Sequence, residues 1–254
     1  MNYRSWADWY DVVYSTEGSG EVDFYVDLAK HSGGPVLEIG VGTGRIAIPT
    51  ARAGIDIVGV DLSSEMLDVT RKRLEGRRFA SKVELIQADM RNLDLKRKFR
   101  LVTIPARTLL LADNPDDQMA TLRSARSHLA RGGRLALNVF VPDPHMLGDE
   151  SRSPFFWDEV TNPANGRRCL LWALNRFDTT GQTNDGLQII EELDERGRVA
   201  AKVYLDVRLR YVYPQELRLM LERCGLRILH ELGDFSASPF DEHSPEYVVI
   251  CRAI

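Results

Sequence analysis

One glutamate, three glycines and two aspartates within the first ninety residues carry the clearest chemistry of this 254-residue chain. The first group is Glu38-Ile39-Gly40-Val41-Gly42-Thr43-Gly44. Glycines let a chain turn tightly and let a ligand approach the backbone. The spacing is G-x-G-x-G, not the G-x-G-x-x-G of dinucleotide-binding turns. An acidic residue two positions before the first glycine suits a ligand with a cationic amine. The second signal is Asp61 in Val58-Gly59-Val60-Asp61-Leu62, where a carboxylate can accept hydrogen bonds from ribose hydroxyls. The third is Asp89-Met90, able to accept from an adenine amino group and to pack on its ring; the alternative for Asp89 is a plain turn cap. Taken in order, the three signals point to an adenosine-like ligand.

These groups need strand ends to hold them. Pro35 to Ile39 is a short apolar run stopped by glycines, as a buried parallel strand requires. Further strands are predicted at Ile55–Val60, Lys82–Gln87, Arg100–Ile104 and Arg134–Phe140. Helical spacing lies between them at Glu21–His31, Arg45–Ala53, Ser63–Glu75 and Pro115–Ala130. Pro49 either bends its helix or falls near its start. Ser63 is a good N-cap, and Arg131-Gly132-Gly133 reads as a turn. Such alternation implies an α/β fold, a doubly wound, mostly parallel, seven-stranded sheet with helices on both faces. The seventh strand and its neighbour are expected at Leu226–Leu232 and Tyr247–Arg252, after a helix opening at Pro214. Between lies a different pattern. Residues 142–165 show no steady period, while Arg168–Phe177, Leu187–Leu193 and Lys202–Tyr213 look like strands joined by turns. The expected division is therefore 1–141, an antiparallel β insertion at 142–213, and a completing segment at 214–254.

From about Tyr10 to Phe140 the constellation resembles the class I, Rossmann-like methyltransferases that use S-adenosylmethionine. The resemblance implies methyl transfer by in-line displacement to a nitrogen or oxygen of a small molecule. Its cofactor set maps onto Tyr10, Tyr14, Glu38, Gly40, Gly42, Asp61, Leu62, Met66, Asp89, Met90 and Pro105. Within that set, Glu38 and the glycines would lie against the methionine portion, Asp61 on the ribose, and Asp89 with Met90 around the base. Tyr10-Asp11-Val12-Val13-Tyr14 looks like the Y-D-x-x-Y segment that caps the cofactor in many small-molecule members; the alternative is an aromatic anchor for the N-terminal helix. Asn138 to His145, and Tyr211-Val212-Tyr213-Pro214 ahead of a helix, resemble the subgroup with an inserted antiparallel sheet, such as the amino-sugar N,N-dimethyltransferases. There the insertion covers the active-site mouth and contributes to dimer contacts, which makes Tyr211 and Tyr213 substrate-binding candidates and a homodimer the expected assembly.

Arg107 falls at a strand's carboxyl end, so it either contacts an acidic substrate group or pairs with Asp113 or Asp116. His145 is the first candidate for a general base and Asp143 the second; the alternative is an ordinary loop histidine and turn aspartate. His243 could also reach the site, whereas His31 and His128 belong at helix ends. Ile104-Pro105-Ala106-Arg107 lacks the acidic or amide residue, Pro-Pro and aromatic of DNA amino-methylating enzymes. Net charge of −4 argues against nucleic acid as partner. The basic run Lys96, Arg97, Lys98, Arg100 reads as a solvated turn. Three scattered cysteines form no metal-like cluster or disulfide framework, which suits a reducing cytoplasm. No stretch approaches the roughly 18 apolar residues of a membrane span. Two other classes remain: a nucleotide-binding oxidoreductase, and a non-catalytic cofactor-binding protein.

Overall fold

A computed structural model describes residues 3–14, 20–148 and 153–254. Its helices are α1 (Tyr3–Val13), α2 (Glu21–Ser32), α3 (Ala47–Arg52), α4 (Ser64–Leu74), α5 (Pro115–Ser127), α6 (Pro144–Leu147) and α7 (Pro214–Arg223). Alternating with the first of these are β1 (Val36–Ile39), β2 (Ile57–Asp61), β3 (Val83–Gln87), β4 (Phe99–Ile104) and β5 (Leu129–Phe140). After α6 come β6 (Phe155–Thr161), β7 (Arg168–Leu174), β8 (Phe177–Asp178), β9 (Thr183–Leu193) and β10 (Val199–Arg210); β11 (Leu226–Leu232) and β12 (Glu246–Ala253) follow α7.

Seven strands form one sheet in the order β11-β12-β5-β4-β1-β2-β3. Strands β1 to β5 pair parallel, and β12 enters antiparallel between β5 and β11. All four residues of β1 are buried, because helices cover both of its faces. Successive side chains therefore enter different cores. Leu37 and Ile39 join the apolar cluster under α5 and α7, while Val36 joins that under α2, α3 and α4. Local chemistry sets the helix starts. Ser63 Oγ accepts from Met66 N at 3.1 Å, and Asn114 Oδ1 accepts from Asp117 N at 2.9 Å ahead of Pro115. Pro49 falls in the first turn of α3, where its missing N–H costs nothing.

The second sheet runs β10-β9-β7-β6, with β8 beside β9, all antiparallel. Strand β6 arises inside the segment expected to be irregular. Only Val160 of its seven residues is fully buried, so the sequence shows no alternation to read. Arg131-Gly132-Gly133 is likewise not a turn between elements but part of β5. Pairing with β4 jumps from Phe99–Leu129 to Leu101–Arg134, and Gly132 takes φ +76° to absorb the bulge.

Helix α1 joins the two sheets. Its buried Trp6 donates from Nε1 to Asp206 O on β10 at 2.9 Å. Trp6, Val12 and Val13 share an apolar cluster with Met66 of α4 and Val160, Leu171, Ile190 and Leu205 of the second sheet. Asp11 Oδ1 accepts from Thr43 Oγ1 at 3.0 Å and pairs with Arg73 of α4. No described helix is long and apolar enough to cross a membrane. Asp11→Ala should release α1 from the glycine turn at a cost of about 1 kcal/mol. Amide exchange would then quicken across residues 3–13 while the parallel sheet keeps its protection; unchanged exchange in α1 would show that apolar contacts alone dock it.

Candidate active site

A cavity of about 920 Å³ opens between the carboxyl ends of the parallel strands and the inner face of the second sheet. Gly40 and Gly42 follow β1, Asp61 and Leu62 end β2, Ala88 and Asp89 follow β3, Arg107 follows β4, and Asn138 and Phe140 end β5; all line it. Ligands of doubly wound sheets bind at such carboxyl ends.

The glycine turn is required by space as much as by torsion. Gly40 has φ +78°, and a Cβ there would lie 2.4 Å from Thr108 Cγ2. Gly42, at φ +54°, donates its N–H to Asp61 Oδ2 at 2.9 Å, and a Cβ on it would meet only Gly40 O, 4.0 Å away. Asp61 Oδ1 accepts from Ser63 N at 2.9 Å. Burial raises the Asp61 pKa, and the Ser63 and Gly42 N–H groups partly offset this by favouring the carboxylate.

Glu38 lies behind this turn, 2% exposed and outside the cavity lining. Its Oε2 has no hydrogen-bond partner. Burial pushes its pKa up to about 8; Arg45 opposes the rise, and Glu21 and Asp61 add to it. Glu21, also buried, pairs with Arg45 and accepts from Ala106 N at 2.8 Å. It thereby ties α2, the glycine turn and the β4 loop together. That loop is strained, with Ala106 at φ 54° and Arg107 at φ 60°. Such non-glycine residues cost roughly 1–3 kcal/mol each and gather at functional sites.

Arg107 lines the cavity and pairs with Glu246 at the start of β12. Its Nε donates to Glu246 Oε1 at 2.8 Å, and its guanidinium lies 5.6 Å from the centre of the Phe140 ring. The left-handed backbone turns the side chain across the sheet toward β12. Asn138 Nδ2 donates to Glu246 Oε2 at 3.1 Å, and Tyr25 OH donates to Asn138 Oδ1 at 2.9 Å. The arginine therefore already faces a carboxylate of its own chain, which weakens its reading as a contact for an acidic substrate.

Asp89 lines the cavity and is also a cap. It accepts from Arg91 N and Nε, both at 2.9 Å, and the Arg91 hydrogen bonds hold its pKa below the ordinary value. Met66 and Met90 line the cavity too. Tyr10 and Tyr14 also line it, with ring centroids 4.7 Å apart, and burial raises the Tyr10 pKa. Pro105, Tyr211, Tyr213 and His145 do not line the cavity. Pro105 and Tyr211 are buried, Tyr213 is 40% exposed, and His145 is exposed on α6. Asp143 lines the cavity and caps α6, accepting from His145 N at 2.7 Å. His145 is the second residue of that solvent-facing turn.

Two residues of the site went unread in the sequence: Glu21 and Glu246. Glu21 looks like any acidic residue in a first helical turn, and Glu246 belongs to no motif. Both are placed by contacts more than eighty residues away.

Similarity to known proteins agrees with this geometry. A family model described as a methyltransferase domain matches residues 36–133. The cypemycin N-terminal methyltransferase of a Streptomyces species is 30% identical over 246 residues, spanning 95% of this chain and 93% of the relative. The chain belongs to the class I S-adenosylmethionine-dependent methyltransferases. Among solved structures, the CcbJ methyltransferase of Streptomyces caelestis is 28% identical, with a TM-score of 0.78 over 93% of this chain and 97% of that one. An S-adenosylmethionine-bound amino pentose methyltransferase, CalS10 of Micromonospora echinaspora, shares the fold at 20% identity and a TM-score of 0.75, covering 96% of each chain.

The methyltransferase site fits its cofactor. The Asp61 carboxylate at the cavity wall suits ribose hydroxyls, and the open space beside Gly42 leaves room for a ligand against backbone. The Glu38 proton also has a consequence for stability. Its folded pKa near 8 exceeds the ordinary 4.5, so the folded state holds a proton that the unfolded state releases. That contribution is present at low pH and is lost as pH rises from 4.5 through 8. Glu38→Gln should therefore gain Tm relative to the wild type between pH 5 and pH 9. An equal offset at both pH values would contradict the buried, protonated carboxyl.

Proposed function

We propose that this methyltransferase transfers a methyl group to the nitrogen of a small molecule, with cofactor and acceptor held in the same chamber. The observation that carries the reading is the continuity of the cavity. The glycine and Asp61 cradle on one side and the aromatic and amide side chains of the second sheet on the other bound one space of about 920 Å³. Small-molecule sites occupy roughly 300–1,000 Å³. An acidic chain of net charge −4 gives a nucleic acid little to bind.

Bound S-adenosylmethionine supplies a methyl group already activated on a sulfonium. The chain's own task is to hold the two reactants close and in line, and proximity supplies roughly 7–11 kcal/mol in favourable cases. In this reading Asp61 accepts from the ribose hydroxyls, the Gly40–Gly42 turn backed by Glu38 lies against the methionine portion, and Asp89 with Met90 frames the adenine. Tyr10, Tyr14 and Trp6 close the chamber against water. Glu246, held by Arg107 and Asn138, places a carboxylate where an acceptor amine can be oriented. An amine need only be neutral to react, so the absence of histidine from the described cavity lining is no obstacle. The 30% identical relative is named for methylation of an N-terminus, which supports nitrogen as the target. Three free, buried thiols suit a cytoplasmic setting. A homodimer would cover the edge strands β6 and β10, where Phe156 and Tyr204 are more than half exposed.

The test is product analysis with S-adenosylmethionine and paired acceptors that differ only in carrying an amine or a hydroxyl. N-methylated product, increasing as pH rises through the acceptor's own pKa, is expected. Methylation of the hydroxyl partner alone, or cofactor binding without transfer to any acceptor, would contradict the proposal.

A further inference from the structure

The inner face of the second sheet is not uniformly apolar. Along β9, the central strand, alternate positions share a face. On the cavity side these are Asn184, Gly186, Gln188 and Ile190. Ile190 packs with Leu171 and Leu205 as an ordinary core residue. The other three do not follow that pattern.

Gln188 stands opposite Ala173 on β7 and Leu205 on β10. Its Oε1 is buried and accepts no hydrogen bond, although the residue lines the cavity. Native proteins rarely keep such an oxygen without a reason. Close by, Asn184 Nδ2 donates to Asn175 Oδ1 at 2.9 Å, and Asn184 Oδ1 accepts from Arg176 N at 3.1 Å. These bonds fix the Asn175 amide at the cavity wall. Gly186 keeps the space between the amides clear. A Cβ there would lie 2.9 Å from Val207 Cγ1 and 3.6 Å from Asn175 Oδ1. The small Ala173 leaves the flank of Gln188 similarly open. Trp157 and Phe177, which also line the cavity, offer flat apolar walls to the carbons of a bound molecule.

We propose that Gln188 and Asn175 form an acceptor-recognition subsite that takes an uncharged hydrogen-bond donor, a hydroxyl or an amide N–H, carried by the methyl acceptor near its reacting amine. The proposal rests on the reading of this cavity as the chamber for an acceptor amine. The subsite is neutral, so it selects polar groups without demanding charge. Such a donor would give the unpartnered oxygen its partner within the chain's own cavity. Sites of this kind discriminate strongly, because an analogue without the donor leaves the buried acceptor unpaired.

The experiment measures kcat/KM for S-adenosylhomocysteine formation, expressed per concentration of neutral amine at the assay pH, with three amines: n-hexylamine, a methyl glycoside of an amino sugar, and trialanine. Wild-type enzyme should prefer one of the polar amines over hexylamine by at least about tenfold. Preference for the glycoside marks a hydroxyl as the natural donor; preference for trialanine marks a peptide N–H. In Gln188→Leu that preference should collapse while the hexylamine rate is kept, and the Tm without amine should not fall. If Gln188→Leu does not fold, Asn175→Ala carries the same comparison. Methylation of hexylamine as efficient as that of the polar amines, or an unchanged ratio in the variant, overturns the subsite while leaving the amine reading intact. Failure to methylate any of the three defeats the amine reading and this proposal with it.

Discussion

Asp61 accepts two backbone N–H groups, from Gly42 and Ser63, and through them fixes the shape of the whole site. One bond draws the turn after β1 against the end of β2. The other sets the start of α4, whose Ser63 cap then satisfies Met66 N. Thr70 of the same helix donates to Gly42 O at 2.7 Å, so the turn is clamped through both its N–H and its carbonyl. A buried carboxylate is costly to keep ionised, and the oriented amides offset part of that cost. The result is a rigid floor whose shape does not wait for a ligand.

The roof is built differently. Nothing in the parallel sheet itself closes the space above its strand ends. Closure comes from α1 and the second sheet, which meet over Trp6, and from Asp11, which reaches the glycine turn through Thr43. Glu21 performs a matching role, holding the strained β4 loop by one N–H and Arg45 by an ion pair. Floor and roof are therefore coupled through buried carboxylates, and several of these face a site that must accept a cationic sulfonium and a cationic ammonium. Electrostatics and architecture use the same side chains.

The parts legible in the sequence were those with local periodicity or a compact motif. The buried run of β1, the glycine turn, Ser63 and Pro115 announced themselves because their physics is contained within a few residues. Asp61 was found because it ends β2, and Asp89 because it closely follows β3. Strand β6 was not legible, since it is an edge strand with one buried residue. The bulge at Gly132 looked like a turn because glycine pairs serve both purposes. Arg107 was found, but its pairing with Glu246 was not, for its left-handed backbone conformation is invisible in the sequence. Glu21, Glu246 and Gln188 could not be read at all. Their roles arise from elements far apart in the chain, and nothing near them marks the encounter.

Calorimetric titration of S-adenosylhomocysteine into the wild type and Asp61→Asn tests the central claim most directly. Asparagine keeps the size and one acceptor oxygen but loses the carboxylate that serves backbone and ligand together. Measurable binding to the wild type is expected, with affinity weakened about tenfold or more in the variant, equivalent to at least about 1.4 kcal/mol, while both remain folded. Equal affinity in the two proteins, or no binding to the wild type, would contradict the account.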